Sequence, residues 1–160
     1  MNAKRILTAV AFLAGFSSVA SAQTANQTVT FQVDAINQIA FAGSPSLVIN
    51  TATAGSAPTA ATANVSWAVT TNQSNAKITA SIGSAMPAGL TLTVNLTAPT
   101  AAGTSAGAQQ LSTTSVDLVT GLTKLAESGL GVAYSLSATP AAGVVASTTR
   151  TVTYTITGGT

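Results

Sequence analysis

Six stretches of this chain alternate apolar and small polar side chains with period two, the pattern of half-buried β-strands rather than helices. Val29, Phe31 and Val33 share one face of Thr28–Val33, and Val65, Trp67 and Val69 share one face of Asn64–Thr70. Lys77–Ile82, Leu90–Leu96, Val132–Leu136 and Val152–Thr157 alternate in the same way. Weaker runs at Ile36–Phe41, Ser46–Asn50 and Val116–Leu122 bring the expected total to eight or nine short strands. Thr and Val recur because β-branched side chains fit a pleated surface. Gly and Pro clusters separate the runs: Gly43-Ser44-Pro45, Ala54–Pro58, Met86–Gly89, Pro99–Gly107 and Pro140–Gly143.

Short strands at this spacing predict an all-β chain folded as an antiparallel β-sandwich. The one helical competitor, Leu118–Glu127, is interrupted by Gly121 and Thr123 and predicts a short turn at most. Ala98–Ala108 reads as a flexible loop too short to link two domains. No period repeats along the chain, which excludes a solenoid. A chain of 160 residues can bury a core without disulfide staples.

The first residues read as a leader. Lys4 and Arg5 precede the uncharged run Ile6–Phe16, and Ala20 and Ala22 stand in the A-x-A positions before Gln23. This is the three-part pattern of a secretory signal peptide, 1–22, cleaved after Ala22. The apolar run is shorter than the ~20 residues of a spanning helix, so no membrane insertion is expected after cleavage. The expected product is a single domain, 23–160, at the cell surface or outside the cell.

Removing Lys4 and Arg5 leaves Lys77, Lys124 and Arg150 against Asp34, Asp117 and Glu127, a net charge of zero. Three scattered cations make no basic footprint, so nucleic acid is excluded as a partner. With no His and no Cys there is no His/Cys metal site, no Ser-His-Asp triad, no thiol nucleophile and no disulfide. Three carboxylates do not make a calcium cage. No cofactor and no metal are expected.

Ser74-Asn75-Ala76-Lys77 spells S-x-x-K, but Ser/Lys acyl chemistry needs both residues on one helical turn, whereas this segment leads from a hairpin turn into a strand. Gly129-Leu130-Gly131 lacks the strand–turn–helix context of a phosphate loop and reads as a turn. Asp34 and Asp117 read as solvated carboxylates. No catalytic residue is assigned, and the chain is not expected to be an enzyme. The sequons at Asn26, Asn64, Asn72 and Asn95 carry little weight in so Thr-rich a chain.

Phe31, Trp67, Tyr134 and Tyr154 each fall on the apolar face of an alternating run and are expected in the core rather than in a sugar-stacking platform. Thr151, Thr153, Thr155 and Thr157 read as a solvated strand face, because an ice- or crystal-binding surface stacks such threonines from a repeat.

The ends of the chain are more informative. Soon after Gln23 comes the Val29/Phe31/Val33 set, and the chain closes on Val152–Thr157 with only Gly158-Gly159-Thr160 beyond. A terminal strand completes either its own sandwich or a neighbour's sheet. The second arrangement is head-to-tail, does not close, and builds a fibre.

Together with the leader and the Ala/Thr/Gly/Ser-rich composition, Thr28-Val29-Thr30-Phe31-Gln32-Val33 resembles the start of bacterial fimbrial or pilus subunits. Thr139-Pro140-Ala141-Ala142-Gly143, leading through Arg150 into Val152–Thr157, resembles the closing turn and last strand of chaperone–usher pilins. That resemblance implies an immunoglobulin-like sandwich completed by the N-terminal extension of the next subunit. It covers only the two ends, and the disulfide that many such pilins carry has no counterpart here. The expectation is a non-enzymatic filament or surface-layer subunit whose partners are copies of itself and an export or assembly machinery. The donated segment would run from about Gln27 to Val33, with Val29, Phe31 and Val33 as its contact residues. The alternative is a monomeric secreted adhesion module binding carbohydrate or protein.

Overall fold

The computed structural model describes residues 22–159. The leader expected over residues 1–22 therefore lies, apart from Ala22, outside the described residues. The chain divides into two units, Met1–Gln32 and Val33–Thr160. Of the first, residues 22–32 are described, and all of them are exposed and outside any strand.

The second unit is an antiparallel β-sandwich. Its strands are β1 (Asn37–Ala42), β2 (Ala61–Thr71), β3 (Ala76–Ile82), β4 (Leu90–Leu96), β5 (Thr104–Ser105), β6 (Gln109–Gln110), β7 (Val116–Leu122), β8 (Leu125–Ala138) and β9 (Val152–Thr157). One sheet has five strands in the order β1-β2-β8-β4-β6, and the other has four in the order β5-β7-β3-β9. A single 3-10 turn, Pro140–Ala142, interrupts the connection from β8 to β9.

Alternation places the core. Trp67 and Val69 of β2, Leu92, Val94 and Leu96 of β4, and Leu130, Val132 and Tyr134 of β8 point inward from one sheet. Ile78, Ala80 and Ile82 of β3 meet them from the other, joined by Leu118, Val119 and Leu122 of β7. Consecutive burial of Leu118 and Val119 breaks the alternation because the β3–β7 register shifts between Ile78 and Thr79.

The Gly129-Leu130-Gly131 segment corrects the sequence reading: it is no turn but lies inside β8. Opposite it on β2, Trp67 pairs with Leu130 and Val69 with Glu127, so two residues of β8 oppose one of β2. Gly129 takes φ +72 in this bulge, a conformation that costs glycine little. The bulge rotates Leu130 back onto the core face.

Three other expectations are corrected. Thr28–Val33 belongs to no strand in this structure, although its alternation is regular. Ser46–Asn50 is likewise irregular, and its surrounding loop is pinned instead by an isolated bridge between Ala52 and Pro58. The segment read as the flexible loop Ala98–Ala108 contributes β5 and is followed at once by β6. There the chain crosses between the sheets and closes one side of the sandwich, with Leu111 buried behind it and its N–H bonded to the Leu92 carbonyl at 2.9 Å.

Candidate subunit-contact site

The opposite side of the sandwich is built differently. β1 is the outermost strand of one sheet and β9 the outermost of the other, and among the described residues each has a strand neighbour on one flank only. Their inward residues are consequently half-buried: Ile39 and Phe41 on β1, and Val152, Tyr154 and Ile156 on β9. Neither strand carries a charge or a proline, the devices that usually protect an exposed edge.

An aromatic stack bridges the two edges. Phe41 stacks on Tyr154, with ring centroids 3.9 Å apart, and also on Trp67 at 6.2 Å. The Tyr154 hydroxyl bonds to that of Tyr134 between the sheets. Burial, and then this hydrogen bond and the neighbouring phenol's charge, raise the Tyr154 pKa far above the ordinary tyrosine value, so it stays neutral. The ring of Trp67 is buried, and its Nε1 has no hydrogen-bond partner among the described residues.

Trp67 and Tyr134 thus sit in the core as expected, and Tyr154 packs against it. Phe31 does not: its side chain is 89% exposed, and Val29 and Val33 are 72% and 77% exposed. These three candidate contact residues are among the most exposed large apolar side chains described. In the sequence they keep the spacing of one strand face.

At the root of this segment the chain is held firmly. The Asn72 side chain accepts the Ile36 N–H and donates to the Asp34 carbonyl, both at 2.7 Å, and its backbone N–H donates to the Ile36 carbonyl at 3.2 Å. Asn37 continues the fastening, accepting from the Thr71 hydroxyl and donating to Gln73. Sequence reasoning missed Asn72, because a clamp formed across 36 or 38 residues of chain leaves no local signal.

The chemistry-bearing candidates resolve simply. Lys77 of the S-x-x-K segment pairs with Asp117 across β3 and β7 at 3.0 Å on the exposed sheet face. Glu127 accepts the N–H and hydroxyl of Thr100, tying the loop after β4 to β8. Two open surface depressions, of about 410 and 230 Å³, include Lys124 as their one ionisable residue. No cluster of three potential metal ligands occurs among the described residues.

Compared with protein-family models, curated proteins and solved structures, the chain finds no match in any of the three.

Proposed function

We propose that this protein is a structural subunit of an extracellular filament or surface layer, assembled by donation of residues 27–33 from each copy to the sandwich of the next. The observation that carries the reading is the exposure of Val29, Phe31 and Val33, an alternating apolar face with no sheet of its own. Water is a poor solvent for such a face, and burying each large side chain contributes roughly 1.5–3 kcal/mol. Residues 28–33 lie outside any strand, and among the described residues β1 and β9 are each the outermost strand of a sheet, the kind of edge to which an extended segment adds.

Composition supports close stacking of copies. Charged residues make up 5% of the chain, so little like-charge repulsion opposes packing of one sandwich on another. Three of the charges are engaged within the fold: Lys77 with Asp117, and Glu127 with Thr100.

Deleting Gln23–Val33 tests the reading. The shortened chain is expected to keep its β-sheet circular dichroism and to remain monomeric by size exclusion, with no filaments in negative stain. Filaments built from folded subunits lacking these residues would overturn it.

A further inference from the structure

We infer that the acceptor is the free edge of β9, and that the donated segment of a second copy runs antiparallel to it with Val33, Phe31 and Val29 facing Val152, Tyr154 and Ile156. This rests on the reading proposed above and names its partner surface.

Sheet width selects the edge. The sheet ending in β9 has four strands against five in the other, and β1 of the wider sheet leaves Ile39 and Phe41 half-exposed beside it. A strand added to β9 makes the widths equal and covers that inner face. A strand added to β1 widens the mismatch.

Chain direction gives the orientation. β1 begins, and β9 ends, at the end of the sandwich that carries the β2–β3 hairpin, since β1 pairs antiparallel with β2 and β9 antiparallel with β3. Asn72 fastens Asp34 and Ile36 at that same end, in line with β1. A copy stacked head-to-tail receives the segment at its opposite end, where β9 starts. The segment then runs against β9, in the antiparallel sense that pairs more favourably.

Side-chain parity fixes the register. Thr28–Val33 and β9 are both six residues long. With Val33 opposite Val152, every apolar residue of the segment meets an inward residue of β9. Thr30 and Thr28 then lie beside the outward Thr155 and Thr157, a favourable cross-strand pairing. A slip of one residue would turn Phe31 out to solvent.

Charge agrees with this register. Residues 23–33 and 151–159 contain no charged side chain, and the first charges beyond them are Asp34 and Arg150. The pairing places Asp34 of one copy opposite Thr151 of the next, one residue from Arg150 and just before β9 begins. The Arg150 guanidinium donates to the Ala85 and Thr149 carbonyls.

Because the chain has no cysteine, an engineered disulfide reads the pairing directly. Gln32→Cys and Thr153→Cys, introduced together into the full chain, place two thiols directly opposite on the outward face, within disulfide reach. Mild oxidation of the assembled protein is expected to give a ladder of covalent oligomers on a non-reducing gel, absent from either single variant. A comparison pair, Gln32→Cys with Gln38→Cys, reports the β1 edge: a cross-linked monomer means that the segment folds back on its own β1, and a ladder means donation to a neighbour's β1. Either result, without a ladder from the first pair, overturns the β9 assignment. A neighbour's β1 ladder would do so while leaving donation itself standing. Filaments that survive deletion of Gln23–Val33 would instead remove the reading on which the assignment rests.

Discussion

Phe41 and Tyr154 stack with their ring centroids 3.9 Å apart, each contributed by the outermost strand of a different sheet. This contact braces two edges that, among the described residues, have a strand neighbour on one flank only, and it continues inward through Trp67 and the Tyr134 hydroxyl. The sandwich can therefore hold β1 and β9 in place while their free flanks remain available.

Phe41→Ala should loosen that brace. Full burial of a phenylalanine makes truncation cost about 3–5 kcal/mol, and the half-buried Phe41 should cost roughly half of that. Urea unfolding followed by the fluorescence of Trp67, the single tryptophan, measures the loss. A change below about 0.5 kcal/mol would show that the stack contributes little.

The raised pKa of Tyr154 has a defined sign in stability. An unfolded tyrosine loses its proton near pH 10, whereas the folded one keeps it. Above about pH 10 the native state thus binds one more proton than the unfolded chain, and stability falls by about 1.4 kcal/mol per pH unit. Below that pH the contribution is fully present. Tyr154→Phe cannot ionise, so its unfolding free energy should fall less steeply between pH 10 and pH 11.5 than that of the natural chain. Parallel slopes would contradict the burial of this hydroxyl.

Gly129 offers a test of the bulge in β8. A Cβ there would meet no atom within 4 Å, so the cost of Gly129→Ala comes from φ +72 alone. That should be about 1–2 kcal/mol, with Gly129→Asn costing less because asparagine tolerates the left-handed region. Equal stability of all three in urea titrations would place the bulge elsewhere.

How far the sequence reveals this architecture depends on where hydrogen-bond partners come from. β4, β7 and β9 match their expected limits because alternation and flanking breakers are both local. β8 is longer than its alternating core Val132–Leu136, since the bulge at Gly129 shifts the phase between Leu125 and Leu130. β5 and β6 were unreadable: Thr104–Ser105 and Gln109–Gln110 have no apolar rhythm and exist because β7 and β4 offer edges to them. Ser46–Asn50 and Thr28–Val33 fail in the opposite way. Alternation assigns side chains to faces, but a strand also needs a ladder beside it, and neither segment belongs to a strand here. The three contact residues were readable as an apolar face. Their exposure, the edge positions of β1 and β9, and the Asn72 clamp depend on strand order and stayed hidden.

Asn72 should matter more to assembly than to the fold. Asn72→Ala removes two side-chain hydrogen bonds at exposed positions, a loss of about 1–2 kcal/mol in total. It also releases Asp34 and Ile36 from their alignment with β1. A more flexible root must be ordered again when a strand is donated, so filament growth followed by light scattering should slow by more than the change in stability accounts for. Growth that tracks stability alone would leave Asn72 a purely structural clamp.

The inferred neighbourhood of Asp34 and Arg150 makes assembly sensitive to the sign of two charges. Asp34→Lys or Arg150→Glu should each put like charges side by side at the mouth of the acceptor edge. An exposed pair is worth about 0.2–1 kcal/mol, so each reversal should raise the protein concentration needed for filament growth by roughly 1.4- to 5-fold at low salt. Arg150→Glu also loses its bond to the Ala85 carbonyl, so a raised threshold in that variant alone would not separate contact from fold. The combined swap separates them: opposite charges meet again, and the threshold should return towards that of the natural chain. Salt provides a second discriminator, because screening weakens the effect of a charge reversal but not that of a lost backbone contact. A swap that merely adds the two single effects, at low and high salt alike, would place these side chains apart in the filament.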